Sequence, residues 1–142
     1  MMRWMRLLAL AGVLAGCSSA TPPPPVPPVA SACPADPVLE TAGPPRRQAV
    51  GAEATAMFFS DTVVRGAEVK IVWSMPGSGD FAIRAVGATT VEPVWGPDVH
   101  LDPPDEWGTG WVFPSPGCWT FEARRGADTA RVTIRVAASP NR

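Results

Sequence analysis

Apolar and polar residues alternate along much of the region between residues 50 and 138, so that every second side chain belongs to the same face. This period of two is typical of β-strands with one buried face, and no stretch has the period of an amphipathic helix. A clear strand carries Val69, Ile71 and Trp73 on one face. A turn rich in Gly and Pro separates it from a second strand at residues 81–84.

The most regular pattern is a hairpin near the C-terminus. Trp119, Phe121 and Ala123 face one way, and a turn at residues 125–128 leads to a return strand whose apolar positions recur from Ala130 to Val136. Weaker strand patterns lie near residues 52–59, 90–95 and 110–113. Short strands joined by Gly- and Pro-rich turns predict an all-β fold, an antiparallel β-sandwich of about seven strands.

The sequence FPSPGCWTF, from Phe113 to Phe121, leads into that hairpin. It resembles the last two strands of many bacterial immunoglobulin-like domains, in which a proline–glycine turn precedes the penultimate strand. Together with Cys33-Pro34 after a proline-rich leader, it is also similar to a group of uncharacterised bacterial lipoproteins that carry a Phe-Pro-x-Pro-Gly-Cys-Trp stretch. The resemblance implies an immunoglobulin-like domain and a location outside the cytoplasm. It implies no activity.

The N-terminus has the pattern of an export signal. Arg3 and Arg6 precede an apolar run that is too short for a transmembrane helix, which needs roughly 20 apolar residues. The sequence Leu-Ala-Gly-Cys ending at Cys17 resembles the lipobox of bacterial lipoproteins, which implies that residues 1–16 are a signal peptide and that Cys17 is lipidated. We therefore expect a lipid anchor on the extracytoplasmic face of the cell membrane or the outer membrane.

Residues 17–48 are predicted to form a spacer, because ten prolines between residues 20 and 48 favour an extended backbone. Residues 49–139 are predicted to form the sandwich domain. The chain from Cys17 onward keeps ten of the twelve basic residues and all thirteen acidic ones, which gives a net charge of −3. Nucleic acid is not expected as a partner, since nucleic-acid-binding domains usually carry a clustered basic face.

Cys33 and Cys118 are the two cysteines left after Cys17 is assigned to the lipid. An exported compartment is oxidising, so an even pair in a small domain predicts a disulfide. Cys118 would lie on the face opposite Trp119, within reach of a leader that crosses the sheet. Two free thiols, or a buried Cys118, stay open as alternatives. A catalytic cysteine is not expected, because the chain has one histidine and no Cys-x-x-Cys motif.

The segment from Val94 to Trp111 is the candidate ligand site, predicted as a long loop over residues 96–108. It holds three of the six tryptophans, the single histidine and four acidic residues. The candidate residues are Trp95, Asp98, His100, Asp102, Asp105, Glu106, Trp107 and Trp111.

Three interpretations of this segment stay open. Its tryptophan faces and carboxylates could bind a sugar ring or a peptide. Asp98, His100 and Asp102 could hold a divalent cation, although the chain has no second histidine and matches no known calcium loop. Alternatively, Trp107 and Trp111 pack at the end of the core while the acidic residues stay in solvent. The packing interpretation is favoured, and no metal or cofactor is assigned.

No catalytic constellation is found, so an enzyme is not expected. His100 has no serine or cysteine nucleophile in a recognised context, and Asp105 and Glu106 would point apart on a strand. We expect a non-catalytic binding module for an envelope protein or a glycan. The alternatives are a structural or accessory subunit whose exposed strands contact a partner complex, and a periplasmic metal-binding protein.

Overall fold

The computed structural model of the protein describes residues 33–35, 38–39, 43–101 and 105–139, with the backbone alone for residues 38–39 and 98–100. The described residues form eleven β-strands and no α-helix. In chain order the strands are β1 (Val38–Leu39), β2 (Arg46–Gln48), β3 (Val50–Gly51), β4 (Thr55–Phe58), β5 (Glu68–Ser74), β6 (Phe81–Val86), β7 (Thr90–Val91), β8 (Trp95–His100), β9 (Glu106–Val112), β10 (Gly117–Arg125) and β11 (Asp128–Val136). Across these ranges, no helix is long and apolar enough to cross a membrane.

The strands form two antiparallel sheets. The six-stranded sheet has the order β1-β2-β4-β5-β9-β8, and the five-stranded sheet has the order β3-β11-β10-β6-β7. The order β4-β5-β9-β8 is that of strands A, B, E and D in an immunoglobulin constant-type domain, and β11-β10-β6 is that of strands G, F and C. Seven of the described strands contain four or more residues. The predicted immunoglobulin-like sandwich of about seven strands is confirmed.

The β10–β11 hairpin shows why the alternating sequence specifies the pairing. Trp119 lies opposite Ile134, and Phe121 lies opposite Val132. All four side chains are buried, so a slip of one residue would turn an apolar row towards solvent. The predicted hairpin is confirmed.

Phe121 is at the centre of the core between the two sheets. Its ring packs edge-on against Trp73 and Trp111, with centroid distances of 5.1 and 5.0 Å. Phe113 contacts the same ring at 5.9 Å. Aromatic pairs prefer this tilted geometry because the edge of one ring is positive and the face of the other is negative.

Thr109 is a buried polar residue within this aromatic core. Its hydroxyl accepts hydrogen bonds from the indole N–H groups of Trp73, at 3.1 Å, and Trp111, at 2.8 Å. The same hydroxyl donates to the backbone carbonyl of Ile71, at 3.0 Å. A hydroxyl has one donor and two acceptor sites, so Thr109 uses its full capacity to satisfy two indoles that have no access to water.

The predicted long loop over residues 96–108 is wrong. Most of it belongs to the antiparallel strands β8 and β9, in which Val99 lies opposite Gly108 and His100 opposite Trp107. A bulge between Trp95 and Val99 interrupts the pairing. Gly96 has a φ of +79°, and a Cβ there would collide with the carbonyl oxygen of Gly108. Gly96 therefore allows the bulged strand β8 to approach β9 closely. Its presence in the sequence does not indicate a loop.

The sheet begins earlier than the predicted boundary at residue 49. Strands β1 and β2 lie within the stretch assigned to the spacer, and β2 pairs with β4 from Arg46 opposite Met57 to Gln48 opposite Thr55. Residues 46–48 follow two prolines and contain none, so they can supply the N–H groups that a ladder needs.

Cys33 and Cys118 form the predicted disulfide, with 5.4 Å between their Cα atoms. Cys118 is exposed near the start of β10, and Cys33 lies over the β10–β11 pair, with its Sγ 3.3 Å from the carbonyl oxygen of Ile134. The bond joins residues 85 positions apart. Closing a loop of this length stabilises a folded domain by about 4–5 kcal/mol in the chain-entropy argument.

We expect Thr109→Val to lower the free energy of unfolding by about 2–4 kcal/mol, because two buried indole N–H groups would lose their acceptor. Thr109→Ser keeps the hydroxyl and removes one methyl group, so its expected cost is about 1 kcal/mol. Urea unfolding followed by tryptophan fluorescence measures both. Equal stability of the valine variant and the wild-type protein would contradict this account of the core.

Candidate functional site

The predicted ligand segment lies on β8, the edge strand of the six-stranded sheet, and on its neighbour β9. The structure describes the side chains of five of the eight candidate residues. The side chains of Asp98, His100 and Asp102 lie outside the described part, so their interpretation as a metal site stays a prediction. Elsewhere in the described residues, no group of three His, Cys, Asp or Glu side chains could hold a metal ion.

Trp107 and Trp111 are core residues. Trp111 is fully buried, with its indole bonded to Thr109, and Trp107 is 5 % exposed. The Trp107 ring stacks on Phe81 with a centroid distance of 4.4 Å. Both rings are therefore unavailable to a ligand, as in the packing interpretation of the segment.

Asp105 forms a structural ion pair at one end of the sandwich. Its Oδ1 lies 2.6 Å from Nη1 of Arg125, whose side chain is 10 % exposed. The same nitrogen donates to the carbonyl oxygen of Met75, and the guanidinium lies 4.8 Å from the Trp107 ring. An inward-pointing cation needs such partners, because burial removes it from water. Asp105 thus connects the turns after β5 and β10 to the β8–β9 hairpin.

Glu106 begins β9 opposite Ser74 and is half-buried. Its backbone carbonyl accepts a hydrogen bond from the N–H of Leu101, at 2.9 Å. This hydrogen bond closes the β8–β9 hairpin. The structural role of Glu106 is therefore played by its backbone carbonyl.

Trp95 is the candidate residue that faces outward. Thr109 and Trp111 point into the core, so Gly110 between them presents its Cα to the outer face of the sheet. The indole of Trp95 lies over this glycine, where an added Cβ would collide with the ring. Its Nε1 donates to Oε1 of Glu68, at 2.6 Å. Trp95 is half-buried, and its indole contacts the backbone of β9 at Gly110.

Two further residues, Lys70 and Phe59, lie on the same outer face as Trp95. Lys70 pairs with Gly110, as Trp95 does from the other side. Phe59 lies one residue beyond β4, and its N–H donates to the carbonyl of Lys70 at 3.1 Å. Its ring is 50 % exposed, and the ammonium of Lys70 lies 4.9 Å from the ring centroid. We call this surface the aromatic platform. Its residues are Phe59, Glu68, Lys70, Trp95 and Gly110.

Sequence analysis included Trp95 in the candidate site but missed Phe59, Glu68 and Lys70. The alternation in β5 places Glu68 and Lys70 on the face opposite Val69 and Ile71, so their exposure was predictable. Their proximity to Trp95 was not, because it depends on the pairing of β5, β9 and β8.

A second surface lies on the outer face of the five-stranded sheet. There Glu122 is opposite both Arg84 and Arg131 on the neighbouring strands. Its Oε2 accepts from Nε and Nη2 of Arg84, at 2.9 and 2.8 Å, and its Oε1 lies 4.0 Å from Nε of Arg131. These side chains, with Arg124 and Glu92, border a groove of about 570 Å³. We call it the arginine groove.

Comparison with known proteins shows the fold. No family model matches the chain, and no curated protein matches it. A crystal structure described as that of a "putative lipoprotein" from Bacillus anthracis is similar, with a TM-score of 0.54 and 15 % sequence identity. The similarity covers 72 % of this chain and 84 % of the other. The chain therefore has the same β-sandwich architecture as that protein.

Proposed function

We propose that the chain is a lipid-anchored lipoprotein of the cell envelope, on the extracytoplasmic face of the cell membrane or the outer membrane. The lipobox-like sequence that ends at Cys17 supports the anchor. The Cys33–Cys118 disulfide supports an oxidising compartment, because structural disulfides are rare in the cytosol. The similarity to the Bacillus anthracis protein agrees with this assignment.

We further propose that the sandwich is a non-catalytic binding module that contacts an envelope component through the aromatic platform. The orientation of Trp95 carries this proposal. Among the described tryptophans, the other four are buried and Trp95 alone reaches the surface. Its indole is fixed by Gly110 beneath the ring and by Glu68 at Nε1, so a partner would meet a preorganised ring and lose little side-chain entropy on binding.

We expect Cys17→Ala to abolish the incorporation of labelled palmitate and to remove the protein from the lipid-anchored fraction, because the acyl chains would have no attachment site. Metabolic labelling followed by detergent phase separation measures both effects. Cys33→Ala is the matched control and should still be labelled. Equal labelling of the Cys17→Ala variant and the wild-type protein would refute the lipid anchor.

Binding is tested with the full chain, oxidised and held in detergent micelles, on a support exposed to envelope extract and to intact sacculi. We expect Trp95→Ala to reduce the retention of envelope material by at least about tenfold, as for an aromatic residue at the centre of an interface. Val50→Ala removes an exposed apolar residue from the opposite sheet and should retain the wild-type amount. Equal retention by the Trp95→Ala variant would exclude the aromatic platform as the binding surface.

The arginine groove supports a second candidate function, an accessory subunit whose exposed strands bind an acidic segment of a partner protein. Glu122 already pairs with Arg84, whereas Arg124 makes no ion pair with any residue that the structure describes. An unpaired cation beside a groove favours a carboxylate ligand, and salt would screen this contact.

We expect Arg124→Glu to abolish binding of an acidic partner and Arg46→Glu, on the other sheet, to leave it unchanged. Co-purification from envelope extract at low and high salt, followed by cross-linking of the purified pair, measures the effect. A partner retained equally by both variants and at both salt concentrations would exclude the arginine groove.

A further inference from the structure

We propose that the aromatic platform binds an uncharged glycan chain, with one pyranose ring stacked on the indole of Trp95. This inference rests on the proposed function and specifies the chemical class of the ligand. The indole geometry, the charge of the surface and the extent of the platform each support it.

The indole of Trp95 lies over Gly110, which has no side chain, so the ring can approach the β9 backbone closely while part of the residue stays exposed. The hydrogen bond from Nε1 to Glu68 restricts rotation of the ring. A pyranose carries its C–H groups on the faces of the ring and its hydroxyl groups around the edge. Stacking such a face on an exposed indole removes apolar area from water on both partners while the hydroxyl groups stay hydrogen-bonded.

The polar groups around the indole suit a neutral ligand. Glu68 carries one negative charge and Lys70 one positive charge, so the platform has no net charge. An anion would be attracted by Lys70 and repelled by Glu68, whereas a cation would be attracted by Glu68 and repelled by Lys70. A sugar hydroxyl both donates and accepts, so it can donate to the carboxylate and accept from the ammonium. The arginine groove, where Arg124 has no ion-pair partner among the described residues, favours an anionic ligand instead.

The platform is longer than one sugar ring. The platform runs across β8, β9 and β5, where Trp95, Gly110 and Lys70 lie, to Phe59, which directly follows β4. Neighbouring strands are about 4.8 Å apart, so the backbone positions of Trp95 and Phe59 are separated by about 14 Å. An oligosaccharide that runs across the strands can therefore contact both aromatic residues and the charged pair between them.

The test uses the full chain, oxidised and in detergent micelles, with two probes: protein-free peptidoglycan sacculi and soluble β-1,4-linked N-acetylglucosamine oligomers. Co-sedimentation measures binding to sacculi, and competition with oligomers of increasing length measures the extent of the site. We expect Trp95→Ala to weaken binding by at least about tenfold and Trp95→Phe to restore part of it, since phenylalanine keeps a ring for stacking. Longer oligomers should compete better than the monosaccharide, and Phe59→Ala should remove that advantage.

Controls separate ligand chemistry from folding. Val50→Ala should bind sacculi as the wild-type protein does, and raising the salt concentration should leave binding unchanged, because no net charge is neutralised. The melting temperature of each variant, compared with that of the wild-type protein, shows whether it is folded. A folded Trp95→Ala variant that binds sacculi normally would overturn the glycan proposal.

The remaining outcomes distinguish this inference from the proposed function. If neither probe binds, but an envelope protein is retained in a manner that depends on Trp95, the glycan class is wrong and the binding module stands. If neither the probes nor any envelope protein shows dependence on Trp95, the glycan proposal and the platform as a binding surface both fail.

Discussion

The indole N–H groups of Trp73 and Trp111 lie in the interior of the sandwich, and both donate to the hydroxyl of Thr109. An unsatisfied donor in this position would cost about 1–3 kcal/mol. The contact of Thr109 with the carbonyl of Ile71 also connects β9 to β5 at a defined register. The outer surface depends on this register. Because the Thr109 side chain points into the core, the next residue, Gly110, faces outward, and the Trp95 indole lies over it.

A buried charge organises the end of the sandwich where β5 and β10 end. This charge needs partners because burial removes it from water. Arg125 lies between the Trp107 ring and the Asp105 carboxylate and donates to the Met75 carbonyl. One cation thus links Met75, Asp105 and Trp107, which come from different parts of the chain. The acidic residue that sequence analysis assigned to a ligand is used to balance this charge. The aromatic platform lies on a sheet face instead, so substitutions there leave the Arg125 contacts in place.

The two outer faces of the sandwich differ in chemistry. The outer face of the six-stranded sheet carries the Trp95 indole beside one negative and one positive side chain, Glu68 and Lys70. The outer face of the five-stranded sheet carries arginines around Glu122. The disulfide brings Cys33 onto the second of these faces, at the end of the sheet where β10 starts. A flat, neutral surface favours stacking ligands, whereas a cationic groove favours carboxylates. The two surfaces therefore make separable predictions, because salt should weaken binding at the arginine groove alone.

The sequence by itself determined the all-β fold and the β10–β11 hairpin, and it predicted the Cys33–Cys118 pair while leaving free thiols open. Each of these follows from a local property, the alternation of apolar residues or the number of cysteines left for an oxidising compartment. Only the tertiary structure decided which tryptophan faces solvent. The segment around Trp95 has the composition of a loop, and only the pairing of Trp95 with Gly110 places its side chain on the outer face, because Thr109 and Trp111 on either side of Gly110 point into the core. Likewise, Glu68 is distant from Trp95 in sequence, and the pairing of β5, β9 and β8 brings it within hydrogen-bond distance of the indole.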